Sequence, residues 1–345
     1  MYADMPTAYS GSFTMTSCAI ATALSSSKAD TGYDSAPFNT FLDNIHTMRG
    51  RVENQYYGHD YPDGGFMRDL PQAGMPFDPE VGGVSETSSD VLIPAFVAAY
   101  TGRNPSRQWL SPFPSFSAVL PNWRITYDGL INLGNLRNIF KSFTLSHAYQ
   151  CTYAVGSYSS FLNWVSVDGT NLGFTLDEIT GNPIPSSPFN ISSVTLTERF
   201  APLIGVNVTL KNELQLNAEY RDQRTLTLNS SAGQVVEATT RSLKFGAGYK
   251  IVGFNTVLKM KGSQQGISND LTLNAEVGLN HNQALIRRIE GNYTQPTSGT
   301  NTFNINFTAS YILSKRVTVS AYFDHQVNNP VVTTSSYPTT NTSYG

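Results

Sequence analysis

The chain has 345 residues, room for one large domain or two ordinary ones. Charged residues make up 14 % and aromatic residues 12 %, with 27 Gly and 18 Pro, a mixture too aromatic and too weakly charged for a disordered chain. The net charge of -3 gives no basic field, which argues against nucleic acid as a partner.

The start, MYADMPTAYSG, has no basic stretch followed by an apolar core and is not a signal peptide. Up to about residue 120 the texture is irregular, with the loop-rich patch YPDGGFMRDLPQAGMPFDPEVGG. Within it Phe38, Phe41, Leu42, Ile45 and Met48, followed by Arg49, Arg51 and Glu53, have helical spacing and predict one short amphipathic helix packed by one face on its neighbours. The longest apolar run, 91–100 (VLIPAFVAAY), is too short for a spanning helix and contains Pro94, so no helical span is expected.

From residue 121 the period changes to two. Trp123, Ile125 and Tyr127 alternate with Arg124, Thr126 and Asp128. Phe143, Leu145, Tyr149, Cys151, Tyr153 and Val155 share one parity, interrupted by His147, and Val206, Val208 and Leu210 continue the pattern. Alternation this sustained predicts strands. The strands also pair by arithmetic. Leu214, Leu216, Ala218 and Tyr220 form one face, and after the turn region 230–234 the set Leu243, Phe245, Ala247 and Tyr249 returns. Folding there puts Tyr220 beside Leu243, Leu214 beside Tyr249, and Asp222 opposite Arg241, an opposite-charge cross-strand pair. A second hairpin joins Leu271, Leu273, Ala275, Val277 and Leu279 to Phe303, Ile305, Phe307, Ala309 and Tyr311 across a polar excursion at 280–301. A tight turn at Ser314, Lys315 and Arg316 leads into Val317, Val319, Ala321 and Phe323.

A soluble β-sandwich also alternates. Three features favour a membrane barrel. Each apolar face holds four to five same-parity residues, near the ~9–11-residue strand that crosses a bilayer. Tyr220, Tyr249, Phe303, Tyr311 and Phe323 sit at the ends of these faces, where an aromatic girdle lies. The opposite parity is Asn, Thr, Ser, Gln, Glu and Lys, suited to a watery lumen. The expected fold is therefore all-β: antiparallel transmembrane β-barrel strands, with an irregular, partly helical N-terminal insertion. Residues 1–25 are a candidate barrel strand, 26–120 the insertion with its short helix, and 121–345 strands and loops lacking a closing strand. By parity, Glu213, Gln215, Asn217, Glu219, Lys244, Asn274 and Glu276 face the lumen. Leu214, Leu216, Phe245, Ala247, Leu273, Ala275, Ile305 and Phe307 face lipid.

Several segments carry a family resemblance: 91–105 (VLIPAFVAAYTGRNP), 121–130 (PNWRITYDGL), 140–158 (FKSFTLSHAYQCTYAVGSY), 198–212 (ERFAPLIGVNVTLKN), 217–228 (NAEYRDQRTLTL) and 327–345 (VNNPVVTTSSYPTTNTSYG). In this order they resemble the C-terminal part of the SprA (Sov) family, the outer-membrane translocons of the type IX secretion system of Bacteroidota, associated with gliding motility. Residues 1–90 match only loosely. The resemblance implies one very large barrel in the bacterial outer membrane, of which this chain is a small terminal fraction. It implies a lumen that passes folded cargo proteins bearing a C-terminal targeting domain to the cell surface. The implied partners are the lipid bilayer, that cargo, a smaller shuttle barrel and a periplasmic plug protein. The alternatives are a small stand-alone porin-like or surface-binding barrel and, further off, a soluble β-sandwich binding module.

No catalytic chemistry is legible. His46, His59, His147, His281 and His325 show no metal-ligand spacing, and His147 reads as a packed residue. Gly246 and Gly248 read as strand glycines and not as a phosphate loop. Asp222, Glu219 and Glu198, near Arg221, Arg224 and Arg199, read as solvated strand-tip charges. Cys18 and Cys151 are either a disulfide or, more in keeping with their isolation, packed thiols. No cofactor, metal or enzymatic activity is expected.

Overall fold

The computed structural model describes residues 9–25, 32–114, 121–177, 180–260, 263–314, 316–332 and 336–345. One antiparallel sheet dominates them. Its strands are β1 (Ser10–Thr16), β2 (Trp123–Tyr127), β3 (Phe140–Ser160), β7 (Phe189–Leu210), β8 (Gln215–Asn229), β9 (Gln234–Met260), β10 (Ser263–Arg288), β11 (Tyr293–Ser314), β12 (Val317–Pro330) and β13 (Thr339–Tyr344). From β7 to β13 each strand pairs with the next in sequence, while β1 and β2 both lie along the outer edge of β3, β1 on 152–159 and β2 on 145–149. Three short strands, β4 (Val165–Ser166), β5 (Gly173–Leu176) and β6 (Pro183–Ser186), form a separate small sheet.

The hairpin register expected between β8 and β9 is present. Tyr220 pairs with Leu243 and Asp222 with Arg241, whose Nε donates to Asp222 Oδ2 at 3.2 Å. The pairing ends at Gln215 with Gly248, so Leu214 does not reach Tyr249. Leu214 lies in the turn joining β7 to β8, where its carbonyl accepts the Leu210 N–H at 2.8 Å.

The polar excursion at 280–301 is no loop: β10 and β11 stay paired through it, to Arg288 opposite Tyr293. Its polar residues satisfy their backbone groups in the ladder, which sequence polarity does not reveal. Among the described residues the last strand, Thr339–Tyr344, runs back along Phe323–Asn328, and nothing pairs with its outer edge. Lys315, in the expected tight turn between β11 and β12, lies outside the described residues, as do residues 1–8 of the candidate first strand.

The insertion is better ordered than its composition suggests. The expected helix is α1 (Ala36–Glu53), with Pro37 in its first turn and Phe38, Phe41, Ile45, Met48 and Val52 buried. Beyond the short α2 (Pro79–Gly82), the run set aside for its length and Pro94 forms α3 (Ser89–Thr101), a second helix buried along 91–100. The Ser88 side chain accepts the Asp90 N–H at its start, and Gly102, at φ +67°, closes it in a left-handed cap. Apolar all round, α3 has no polar face to betray a period. It packs on α1 and on β7, and the two helices share one core with Tyr153, Leu196, Leu226, Leu228 and Val235 of the sheet. A last short helix, α4 (Leu136–Ile139), precedes β3. No helix among the described residues is long and apolar enough to cross a membrane.

Candidate functional site: a two-faced wall

The candidate site is the sheet itself. One row of neighbours crosses eight strands: Phe143, Val208, Leu216, Ala247, Ala275, Phe307, Phe323 and Tyr344. The adjacent row, one residue along each strand and so on the other face, reads Thr144, Asn207, Asn217, Gly246, Glu276, Asn306, Asp324 and Ser343. Every member of the first row is apolar or aromatic, and no member of the second carries a large apolar side chain.

On the apolar face Leu216, Phe245, Tyr249, Leu279, Phe307, Val319 and Phe323 are between 37 % and 52 % exposed. Nothing among the described residues forms a second layer over them. On β10 the band runs from Leu271 to Leu279, about 27 Å at ~3.4 Å per residue, comparable with the ~25 Å apolar band of an outer-membrane barrel. Of the residues read from parity as lipid-facing, Leu216, Phe245, Ala247, Leu273, Ala275, Ile305 and Phe307 share this face; only Leu214, in its turn, falls off it.

On the polar face lie Gln215, Asn217, Glu219, Lys244, Asn274 and Glu276. Glu213 does not join them. It sits in the β7–β8 turn at φ +67°, with its carboxylate on Lys141 Nζ at 2.8 Å. Along the strands of this face several charges meet opposite charges: Lys244 with Glu276 at 3.2 Å, Arg221 with Glu219 at 2.7 Å and Lys250 with Asp270 at 2.7 Å. The strand glycines serve the same surface. A Cβ on Gly246 would collide with the Asn217 amide, and one on Gly278 with that of Asn304. The missing side chains leave room for carboxamides to lie flat on the sheet, so the surface there is shallow and hydrogen-bonding. No family model matches the chain, and no curated protein does.

Above the band the apolar face changes partner. Leu226, Leu228 and Val235 are fully buried beneath the helical unit. With them go the charges read as solvated strand tips, and that reading is corrected. Arg224 Nη2 meets Glu198 Oε2 at 2.8 Å, with the two side chains 4 % and 3 % exposed. Arg224 Nη1 also donates to the Thr22 carbonyl at 2.7 Å, and Tyr149 donates to Glu198 Oε1 at 2.6 Å. A second buried pair, Arg287 with Glu237 at 2.8 Å, is tied to the unit through the Tyr33 carbonyl at 2.7 Å. Burying such charges is costly unless they are partnered, and here all but the Arg224 Nε find a partner among the described residues. Their partners come from residues 22 and 33, a distance in sequence that no local pattern reports.

Cys18 and Cys151 are free thiols, Cys151 wholly buried. His147 packs between Trp123 and Phe200, its Nδ1 2.7 Å from the Leu203 carbonyl. A cavity of about 390 Å³ lies beside the helical unit, lined by Val52, Tyr56, Leu110, Phe113 and Phe189, with one carboxylate, Asp90. Asp90 accepts the Ser187 N–H at 2.8 Å, and burial raises its pKa above the usual carboxylate range.

Proposed function

We propose that the chain is a stretch of wall from an outer-membrane β-barrel, with the carboxamide-rich face lining a water-filled lumen and the apolar band facing lipid. The single observation that carries this reading is the pair of adjacent rows, one wholly apolar and one polar, running in register across eight strands. A single-layer sheet that leaves such a band uncovered loses several hundred Å² of apolar burial in water, a surface that soluble monomers rarely expose. That weighs against a soluble sandwich.

Within this reading, the resemblance of the strand segments to the type IX translocon family supports a protein-conducting role. The wall bounds a pore through which folded cargo with a C-terminal targeting domain reaches the cell surface, and the shuttle barrel and plug are its partners. Function then resides in pore geometry and in partner contacts, and the wall performs no bond chemistry. A stand-alone porin would use the same two faces around a narrower pore.

Alkaline carbonate treatment of membranes containing the full-length protein tests the reading. A wall segment stays in the pellet with the lipid; release into the supernatant overturns it.

A further inference from the structure

Where β2 runs along β3, the polar face carries positive charge that is not answered. An open recess of about 550 Å³ is lined by Asn122, Arg124, Gln150, Arg199 and Arg221, with Trp123 and Tyr149 at its back. Arg124 stands on β2 beside Ala148, Arg199 on β7 beside Gln150, and Arg221 on β8. The register of β3 against β7 slips between Ser146 and Tyr149, and that of β7 against β8 between Phe200 and Ile204, so the wall is dented where the three guanidiniums converge. Glu219 holds Arg221 through Nε. Among the described residues, Arg124 and Arg199 have no hydrogen-bond or ion-pair partner, and both are exposed. Asn122 has its Oδ1 taken by the Cys151 N–H at 2.8 Å, which leaves its amide hydrogens to donate. The recess therefore offers donors and positive charge, whereas Lys244 and Lys250 on the same face are each paired.

We propose that this recess binds carboxylates of an acidic polypeptide segment moving along or docked on the polar face. Guanidinium pairs suit carboxylates through two-pronged hydrogen bonds. A polypeptide is favoured over lipid phosphate because the recess opens on the face away from the apolar band, out of reach of headgroups. The inference rests on the wall reading in taking the polar face to be open to water and to other chains and turned away from lipid headgroups.

The test uses the full chain in detergent micelles with a fluorescent decaglutamate peptide, followed by anisotropy. Decaglutamate binds, the binding weakens as salt rises, and an equal-length glutamine peptide does not bind. The double variant Arg124→Gln/Arg199→Gln lowers the affinity at least tenfold. Both side chains are exposed, so its thermal midpoint matches the parent; if it does not, Arg199→Gln alone carries the test with at least a threefold loss. Unchanged affinity in the variants, or equal binding of the glutamine peptide, overturns the proposal. So does binding of inorganic phosphate without binding of the peptide, which would assign the recess to small anions. The assay needs no bilayer: absent peptide binding with carbonate-resistant membrane association refutes this inference alone, and the reverse result refutes only the wall reading.

Discussion

Arginine introduced at two adjacent positions of β10 separates the faces of the wall. Ala275 and Asn274 are both exposed, so neither substitution meets a steric barrier. Ala275 sits in the apolar row between Ala247 and Phe307; Asn274 lies on the opposite face between Gly248 and Thr308. Ala275 is the middle residue of the band from Leu271 to Leu279, about 14 Å along the strand from either rim at ~3.4 Å per residue. A strand tilt of ~40° brings that to about 10 Å of depth. An arginine there cannot bring its whole charge to the headgroups, and the expected cost is about 2–4 kcal/mol. That is roughly a thirty- to several-hundredfold fall in the folded-to-unfolded ratio, at about 1.4 kcal/mol per factor of ten. Asn274→Arg is expected to cost less than about 0.5 kcal/mol, as for an ordinary exposed substitution. Urea titration of the full chain assembled in phosphatidylcholine vesicles, followed by tryptophan fluorescence, measures both. Equal costs at the two positions, or a larger cost at Asn274, would refute the assignment of faces.

Glu198→Gln leaves the Arg224 guanidinium buried without its paired carboxylate but still bonded to Thr22, so the expected loss is about 3 kcal/mol, the low end for a broken buried pair. A denaturation midpoint unchanged from the parent would show that the helical unit does not seal the pair. Gly102→Ala forces a side chain into a left-handed conformation and sets its Cβ 2.7 Å from that of Ala21. The expected loss is about 1–2 kcal/mol from the backbone alone, read as a lower thermal midpoint. Asp90, with its folded pKa raised, keeps its proton to a higher pH than the unfolded chain does, so stability falls as pH rises through the raised value. Asp90→Asn keeps an acceptor for the Ser187 N–H and removes its share of that slope: urea midpoints should decline between pH 4.5 and 8 in the parent and decline less in the variant. A level parent would contradict the burial of the charge.

How much of this was legible in the sequence depends on where the partner of each residue lies. Hairpin neighbours are local, so parity and turn position alone placed Tyr220 against Leu243 and Asp222 against Arg241, and sorted all but two of the residues assigned to a face. The two exceptions, Glu213 and Leu214, lie in a turn, where strand parity has no meaning. The polar residues of 280–301 misled because a ladder satisfies backbone groups whatever the side chains are. The upper half of the apolar face was the least legible part. Arg224 and Glu198 look like surface charges until Thr22, 202 positions from Arg224, closes over them. Helix α3 was hidden by uniformity, since a run apolar on every side carries no period to read.

The helical unit and the apolar band share one face of the sheet, one above the other. In the wall reading, the outer profile is therefore stepped, with a shelf of packed helices overhanging a strip of bare strand. Such a shelf acts as a collar: it limits how deep the sheet can sink into a bilayer. It also sets a ceiling for any neighbour sliding along the membrane plane toward β7–β9. Whatever docks against the band from outside must fit beneath the collar, and lifting the helices would lengthen the apolar strip by exposing Leu226, Leu228 and Val235.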